Sequence, residues 1–544
     1  MAAPADTVPW WDTVGGTEPG LQAPWHTCLA FTVGAALLCT STGVVMIGSW
    51  ISAMALATSP AAAAAAPEIA AQARDACGLA DAAVIDAGTI ETVADLAARI
   101  ELAGGASVIV TGAVLDGQDM RRAGRLLAKG CLFDSSIKDS DWSGVIAPDV
   151  RIVRTDLDGA DFTGAALVRS RFEGVGLAKA RFTHANLAKA RFVGASGKLF
   201  LGEARFDHAR MEGAVFECGI TVDGWCMDAT EARFFGARFA GSDLTALPIW
   251  SEETMRGAML GRDTAVHPRT VRYLTHASVP DTLVLRAGLS EADDGGDRLA
   301  EARITAPEFR ALNDATRAFA ADRPSFDCTK AASHAEQLVC GEYASSLRAA
   351  DRDLAALYAQ ARASGHVTAA SQRAWLAQRD RCPDAECLEA AYRARIDALF
   401  AAQGNRFTLG PGAAKTFRQD VLPLPSAMRG SELYRRILPV LADASWQDIT
   451  LTGNADGNIA AEGFALGSNA HMCELSAPRL MFDPRTGWFS AASESGAMIP
   501  LLRVWGERLI MRYSGNMGDT PDQAQAFVSC GARAFFTDLR DLGE

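Results

Sequence analysis

The most regular feature of the chain is a spacing that neither a helix nor a strand produces. From Leu132 every fifth residue is Ile137, Trp142, Ala147, Ile152, Leu157, Phe162, Leu167, Phe172, Leu177, Phe182, Leu187 and Phe192, and only Ala147 is small. Two positions earlier stand Ala160, Ala165, Ser170, Val175, Ala180, Ala185 and Ala190, so a small residue and a large apolar one recur together. The phase slips near 193–205, resumes at Phe206, Met211 and Phe216, slips again near 217–233, and resumes at Phe234, Phe239 and Leu244. The two slips predict loops. A fixed short period of this kind is the mark of a repeat architecture, in which each unit buries its apolar column only when its neighbours stack on it.

The units Ala160-Asp161-Phe162 and Ala185-Asn186-Leu187 have the A(D/N)LXX form, and residues 131–247 resemble the pentapeptide-repeat family. The resemblance implies a right-handed quadrilateral β-helix in which each five-residue unit forms one side. Four sides make a coil of about twenty residues, and coils stack at the strand spacing of ~4.8 Å. From 157 to 192 the central residues alternate Leu and Phe, which predicts rings stacked on rings between coils. That column is core, so any function falls to the outward positions.

Upstream, Val93, Leu96, Ala97 and Ile100 have helical spacing within Glu91 to Leu102, and Ser107 to Leu115 alternates like a strand. Residues 67–130 are therefore expected to cap the first coil, which otherwise leaves an open sheet edge. Cys77 with Cys131 is the expected staple of that cap, and Cys218 with Cys226 the expected closure of the second loop. Residues 248–324 read as a connector with one helix from Pro307 to Ala321. An acidic, Gly-containing loop at 293–297 reads as a turn, because no ligand-spaced Glu or His stands beside it.

Residues 325–402 change character. Cys328 and Cys340 precede an apolar stripe at Leu347, Leu354 and Leu357 that includes Asp351 and Tyr358; then come Gln372, Trp375, Arg379 and Cys382, and finally Cys387, Tyr392 and Arg395. This order resembles the N-terminal domain of the lysozyme inhibitor LprI family. The resemblance implies a small helical domain and a lysozyme-type glycosidase as partner. A domain this small needs staples, and the preferred local pairs are Cys328 with Cys340 and Cys382 with Cys387. Zinc is disfavoured, since the Cys spacings do not fit a knuckle. Trp375 and Arg379 lie one helical turn apart; the simple reading puts Trp375 in the core with Arg379 stacked on it or capping, and the pair is the module's candidate for recognition.

In 405–544 short apolar stretches alternate with turns, which predicts an antiparallel β domain closed by Cys473 and Cys530. Asn454, Asp456 and Asn458 read as a hairpin and not a calcium loop, because Ile459 occupies the position that needs Gly. The fold class is thus multidomain and mixed: a β-helix, a disulfide-stapled helical domain and an antiparallel β domain.

No charged residue lies between Glu18 and Glu68, and the apolar run from Leu29 to Ala57 is long enough to cross a bilayer. Residues 1–66 are read as an export signal or a membrane anchor, with the small residues Ala61 to Ala66 favouring cleavage. Cleavage there removes Cys28 and Cys39 and leaves an even ten Cys, consistent with pairing in the periplasm or outside the cell. The only membrane contact expected is through that segment.

The net charge of −13 argues against nucleic acid as a partner of the whole chain. It conceals a basic stretch in which Arg171, Lys179, Arg181, Lys189 and Arg191 form a candidate anion-binding face for an envelope polymer. No metalloprotease, nucleophile-elbow, Walker or dinucleotide-binding motif occurs, so neither catalysis nor a cofactor is expected. The leading expectation is an exported envelope protein that binds a lysozyme or another envelope component. The alternative is a scaffold whose β-helix spaces and presents the flanking modules.

Overall fold

The computed structural model describes residues 65–543 apart from 105–106, 195–198, 219–225, 288–299, 321, 405–406, 467–470, 514–519, 532–533 and 538. All but the last two residues of the expected export segment, and the acidic loop at 293–297, therefore lie outside the described residues. Among the described residues no helix is long and apolar enough to cross a membrane.

The five-residue period builds a parallel β-helix. Cys131–Phe133, Arg151–Val153, Arg171–Glu173 and Arg191–Val193 pair in parallel, Cys131 beside Arg151, Arg151 beside Arg171 and Arg171 beside Arg191. Single parallel bridges mark three further columns, through Ser136, Asp156 and Gly176, through Asp141, Asp161 and Arg181, and through Ile146, Ala166 and Asn186. Two residues after most of the central residues the backbone turns with positive φ. Glycine fills some of these corners, as at Gly164 (φ 67°), but Arg169, Lys179, His184 and Lys189 fill others. Many corners are closed by a short-range bond, such as Ala165 N–H donating to the Phe162 carbonyl at 3.0 Å.

Inside, the central residues are buried and the rings stack as ladders. Phe162, Phe182, Phe206 and Phe234 follow one another at centroid distances of 4.7, 4.8 and 4.7 Å. Phe172, Phe192 and Phe216 form a second ladder at 5.0 and 4.9 Å. The two ladders meet edge to face across the interior, as at Phe172 and Phe182.

The β-helix is longer than the regular period indicates. Val108–Thr111 pairs in parallel with Cys131–Phe133 and with Ala83–Asp86, while Val114 and Asp119 already bridge to Ser136 and Asp141. Much of what was expected as a separate cap is thus hydrogen-bonded into the same stack. The helix Val93–Ala103, capped by Thr92, closes its end, and an additional helix, Pro67–Cys77, buries Ala73 and Cys77 against Phe133 and Val153. At the other end Arg238 bridges to Met259 and Met259 to Ser278, and Thr264–Val266 pairs in parallel with Thr282–Arg286. The expected connector therefore carries the stack onward before the helix Ala306–Ala320. Coil length grows from twenty residues (Arg171 to Arg191) to twenty-four (Arg191 to Val215) and twenty-eight (Arg205 to Arg233), which absorbs the two slips.

Beyond it, Ser345–Ala363 and Ala385–Gln403 pack lengthwise, with Ala369–Arg379 and the short His334–Val339 completing a helical module around Leu347, Leu354, Leu357, Leu388 and Tyr392. The carboxy-terminal sheet is antiparallel throughout, and the long strand Met472–Asp483 closes it by pairing with both Ile459–Leu466 and Trp488–Ala492. Its preceding helix, Glu432–Asp443, leaves the sheet and packs Ile437, Val440 and Leu441 into the core of the β-helix. The cysteines pair as Cys77–Cys131, Cys218–Cys226, Cys328–Cys340, Cys382–Cys387 and Cys473–Cys530.

Candidate binding faces

Outward side chains of a stacked coil form columns, and register decides which of them meet. Arg151, Arg171 and Arg191 occupy successive rungs of one column, where like charges repel at the ~4.8 Å rung spacing unless they are neutralised. Arg171 and Arg191 are neutralised: Arg171 pairs with Glu173 at 2.6 Å and Arg191 with Glu217 at 2.5 Å. Arg181 lies two sides around the coil and pairs with Asp161 at 2.8 Å. Lys179 and Lys189 sit at left-handed corners; Lys179 lies 3.6 Å from Glu203, and Lys189 has no ion pair among the described residues. The five cations therefore do not share one face. Arg171 and Arg191 meet, and Arg181 belongs to a different column.

In the helical module, Arg379 is only 5% exposed. Its guanidinium pairs with Asp380 at 2.6 Å and lies 5.7 Å from the centre of the half-buried Trp375 ring. Trp375 in turn meets Tyr392 edge to face at 5.4 Å. The Tyr392 hydroxyl donates to the Asp351 carboxylate at 2.9 Å, and that carboxylate also accepts from the Ser325 N–H and hydroxyl at 2.7 and 2.6 Å. Burial first, and then the Asp351 charge, push the Tyr392 hydroxyl well above its ordinary range. A buried carboxylate with three donors is satisfied, so this network ties the helices together and turns Arg379 inward.

Open clefts among the described residues include one on the helical module and one on the β-helix. One, of about 600 Å³, is lined by Arg323, Phe326, Asp327 and Arg352 beside Cys328; the other, of about 370 Å³, lies between Phe200, Asp228 and Trp250 on the β-helix. Among the described residues no group of three or more His, Cys, Asp or Glu is placed to hold a metal ion.

A repeat-built parallel β-helix with a closed apolar interior and charged outer columns is a scaffold or binding architecture. Residues 155–194 match the model of the pentapeptide repeats in eight copies, so this part of the chain consists of pentapeptide repeats. Among solved structures, the chain is similar to a pentapeptide repeat protein from the Arabidopsis thaliana thylakoid lumen, at 19% identity over 26% of this chain and 79% of that one, with a TM-score of 0.18. It is also similar to a trypsin-treated form of QnrB1, a plasmid-mediated fluoroquinolone resistance protein, at 18% identity over 29% and 82%, TM-score 0.18. A third is HetL, a pentapeptide repeat protein involved in heterocyst differentiation regulation in the cyanobacterium Nostoc sp. strain PCC 7120, at 18% identity over 34% and 88%, TM-score 0.11. No curated protein matches the chain.

Proposed function

We propose that the protein is an exported, non-catalytic component of the cell envelope that acts by binding. Its β-helix, right-handed and quadrilateral, is a rigid stem, and the four-cysteine module with the carboxy-terminal domain forms a head on its end. The observation that carries this reading is the continuous core: one apolar cluster runs from Ile85 through Phe192 to Leu312 and takes in Ile437 and Val440 of the carboxy-terminal domain. A joint buried in that way holds the head at a fixed angle. The even pairing of ten cysteines supports an oxidising compartment, periplasmic or outside the cell.

The partner we assign is a lysozyme-type glycosidase, on the resemblance of residues 325–402 to the LprI family, with an anionic envelope polymer as a second ligand that competes with Glu173 and Glu217 for Arg171 and Arg191. The scaffold reading competes with it on a specific ground, since Trp375 and Arg379 are spent on internal contacts. The deciding experiment is lysis of a cell-wall suspension by several lysozymes with the full chain added. Inhibition at concentrations near that of the enzyme is the expected result. Undiminished lysis by every lysozyme removes the inhibitor reading and leaves the scaffold.

A further inference from the structure

The column that contains Arg181 has an ordered charge. Asp119 bridges to Asp141, Asp141 to Asp161, Asp161 to Arg181, Arg181 to Arg205 and Arg205 to Arg233. Six successive rungs thus carry three acids followed by three arginines on one side of the stem. Two residues further along each rung stand Arg121, Ser143, Thr163, Thr183, Asp207 and Phe235. Arg121 lies between Asp119 and Asp141, Arg181 pairs with Asp161 of its own chain at 2.8 Å, and Asp207 pairs with Arg205 at 2.6 Å, so the excess of each sign lies towards the two ends of the column. Asp119, Arg181 and Arg205 are 54–55% exposed, Asp141 42% and Asp161 27%. Arg233 is exposed and has no ion pair among the described residues.

We propose that this side is the contact surface of an antiparallel homodimer, two stems lying face to face about a two-fold axis between the Asp161 and Arg181 rungs. Such an axis sets Asp119 against Arg233 of the second copy, Asp141 against its Arg205 and Asp161 against its Arg181, each pair occurring twice. An isologous contact requires a surface complementary to itself when reversed, and a column that changes sign at its midpoint meets that requirement. A parallel arrangement sets like against like. A linear polyanion is a poorer occupant of the same straight column, because any chain longer than three rungs runs from the arginines onto Asp161 and Asp141.

The size of the face fixes the strength of the contact. Five intervals of ~4.8 Å by one side of five residues at ~3.3 Å give about 400 Å² per copy. That is about half of the ~800 Å² per partner in a standard stable interface. Exposed ion pairs each contribute little and are screened by salt, so the dimer is weak and favoured at low ionic strength.

Sedimentation of the purified full chain tests this. The expected result is reversible self-association at low salt that weakens about tenfold or more when salt rises from ~0.05 to ~0.5 M. Asp119→Arg alone and Arg233→Glu alone each place like charges opposite one another and weaken association about tenfold. Both changes in one chain restore it, and so does an equimolar mixture of the two single variants. A chain that stays monomeric at low salt, an association indifferent to either reversal, or a double variant no better than the singles overturns the proposal.

Discussion

Arg503, on a strand of the carboxy-terminal sheet, pairs with Asp397 of the helix Ala385–Gln403 and joins the two domains. It is 2% exposed, and its guanidinium lies 3.6 Å from the centre of the Trp488 ring and 4.3 Å from that of Phe400. Burial pushes Arg503 down to about 10, and Asp397 opposes that shift. The pair is supported on either side by Trp488, whose indole N–H donates to Asp397 at 3.2 Å, and by Arg508, paired with Asp353 at 2.6 Å. The helical module and the carboxy-terminal sheet are therefore fastened to each other.

Removing one partner of such a pair strands the other charge in the interior. Asp397→Ala is expected to cost about 3 to 5 kcal/mol, because Arg503 stays buried without its counter-charge. Replacing both, Asp397→Leu with Arg503→Met, is expected to cost far less. Denaturant unfolding of the three variants checks the order, and equal losses for the single and double variants contradict it.

The aromatic ladders make a second expectation. Phe182 is sandwiched between Phe162 and Phe206 at near-parallel geometry. Phe182→Ala is expected to cost about 3 to 5 kcal/mol, since the coils above and below are held apart by their own backbone bonds and cannot close the cavity. Gly164→Ala, with no atom near the added methyl but a backbone φ of 67°, is expected to cost about 1 kcal/mol through conformation alone. Thermal unfolding that ranks these two in the opposite order would count against the ladder as the source of stem stability.

The stem core was legible because its period repeats inside one column for many turns, from Leu132 to Phe192. Its ends were not. The same small-x-large signature persists at Ala113 and Leu115 and at Ala258 and Leu260, all buried, but each stands between irregular stretches with no run to set the phase. The placement of Arg181 away from Arg171 follows from the twenty-residue coil, since positions ten apart lie on opposite sides. By contrast, no local pattern links Asp397 to Arg503, or Ile437 to the end of the stem. Those contacts join residues far apart in sequence through tertiary packing, which leaves no periodic trace.

His267 caps the short helical turn that follows it, its Nδ1 accepting from the Arg269 N–H at 3.1 Å. Burial, with Arg269 nearby, lowers it from its ordinary value to about 3. The unfolded chain binds a proton near pH 6.5 while the folded one does not, so this group's contribution is full above about pH 6.5 and is lost as pH falls towards 3. Stability is expected to drop by about 1 kcal/mol per pH unit from this group between pH 6 and 4. His267→Asn retains a capping acceptor and should flatten that slope in urea titrations; an unchanged slope would assign the acid sensitivity to other groups.

Tyr392 supplies the opposite sign. Its hydroxyl donates to Asp351, and ionising it sets a phenolate against a buried carboxylate that already holds two bonds from Ser325. The folded protein therefore keeps the proton to a higher pH than the unfolded chain, whose tyrosines ionise near 10. The resulting stability is complete below about pH 10 and is lost as pH rises beyond it, by about 1 kcal/mol per unit. Tyr392→Phe is expected to cost about 1 to 2 kcal/mol at neutral pH through the lost hydrogen bond, while removing part of the alkaline slope. Arg379 is held 3.4 Å from the same hydroxyl and favours its ionised form, so Arg379→Met should leave both the slope up to pH 11 and the neutral Asp351 contact in place. Measured together by denaturant titration from pH 7 to 11, a slope flattened by Tyr392→Phe and kept by Arg379→Met identifies the buried Tyr392–Asp351 bond as a fastening of the module. An unflattened slope in Tyr392→Phe would place the alkaline loss on other groups.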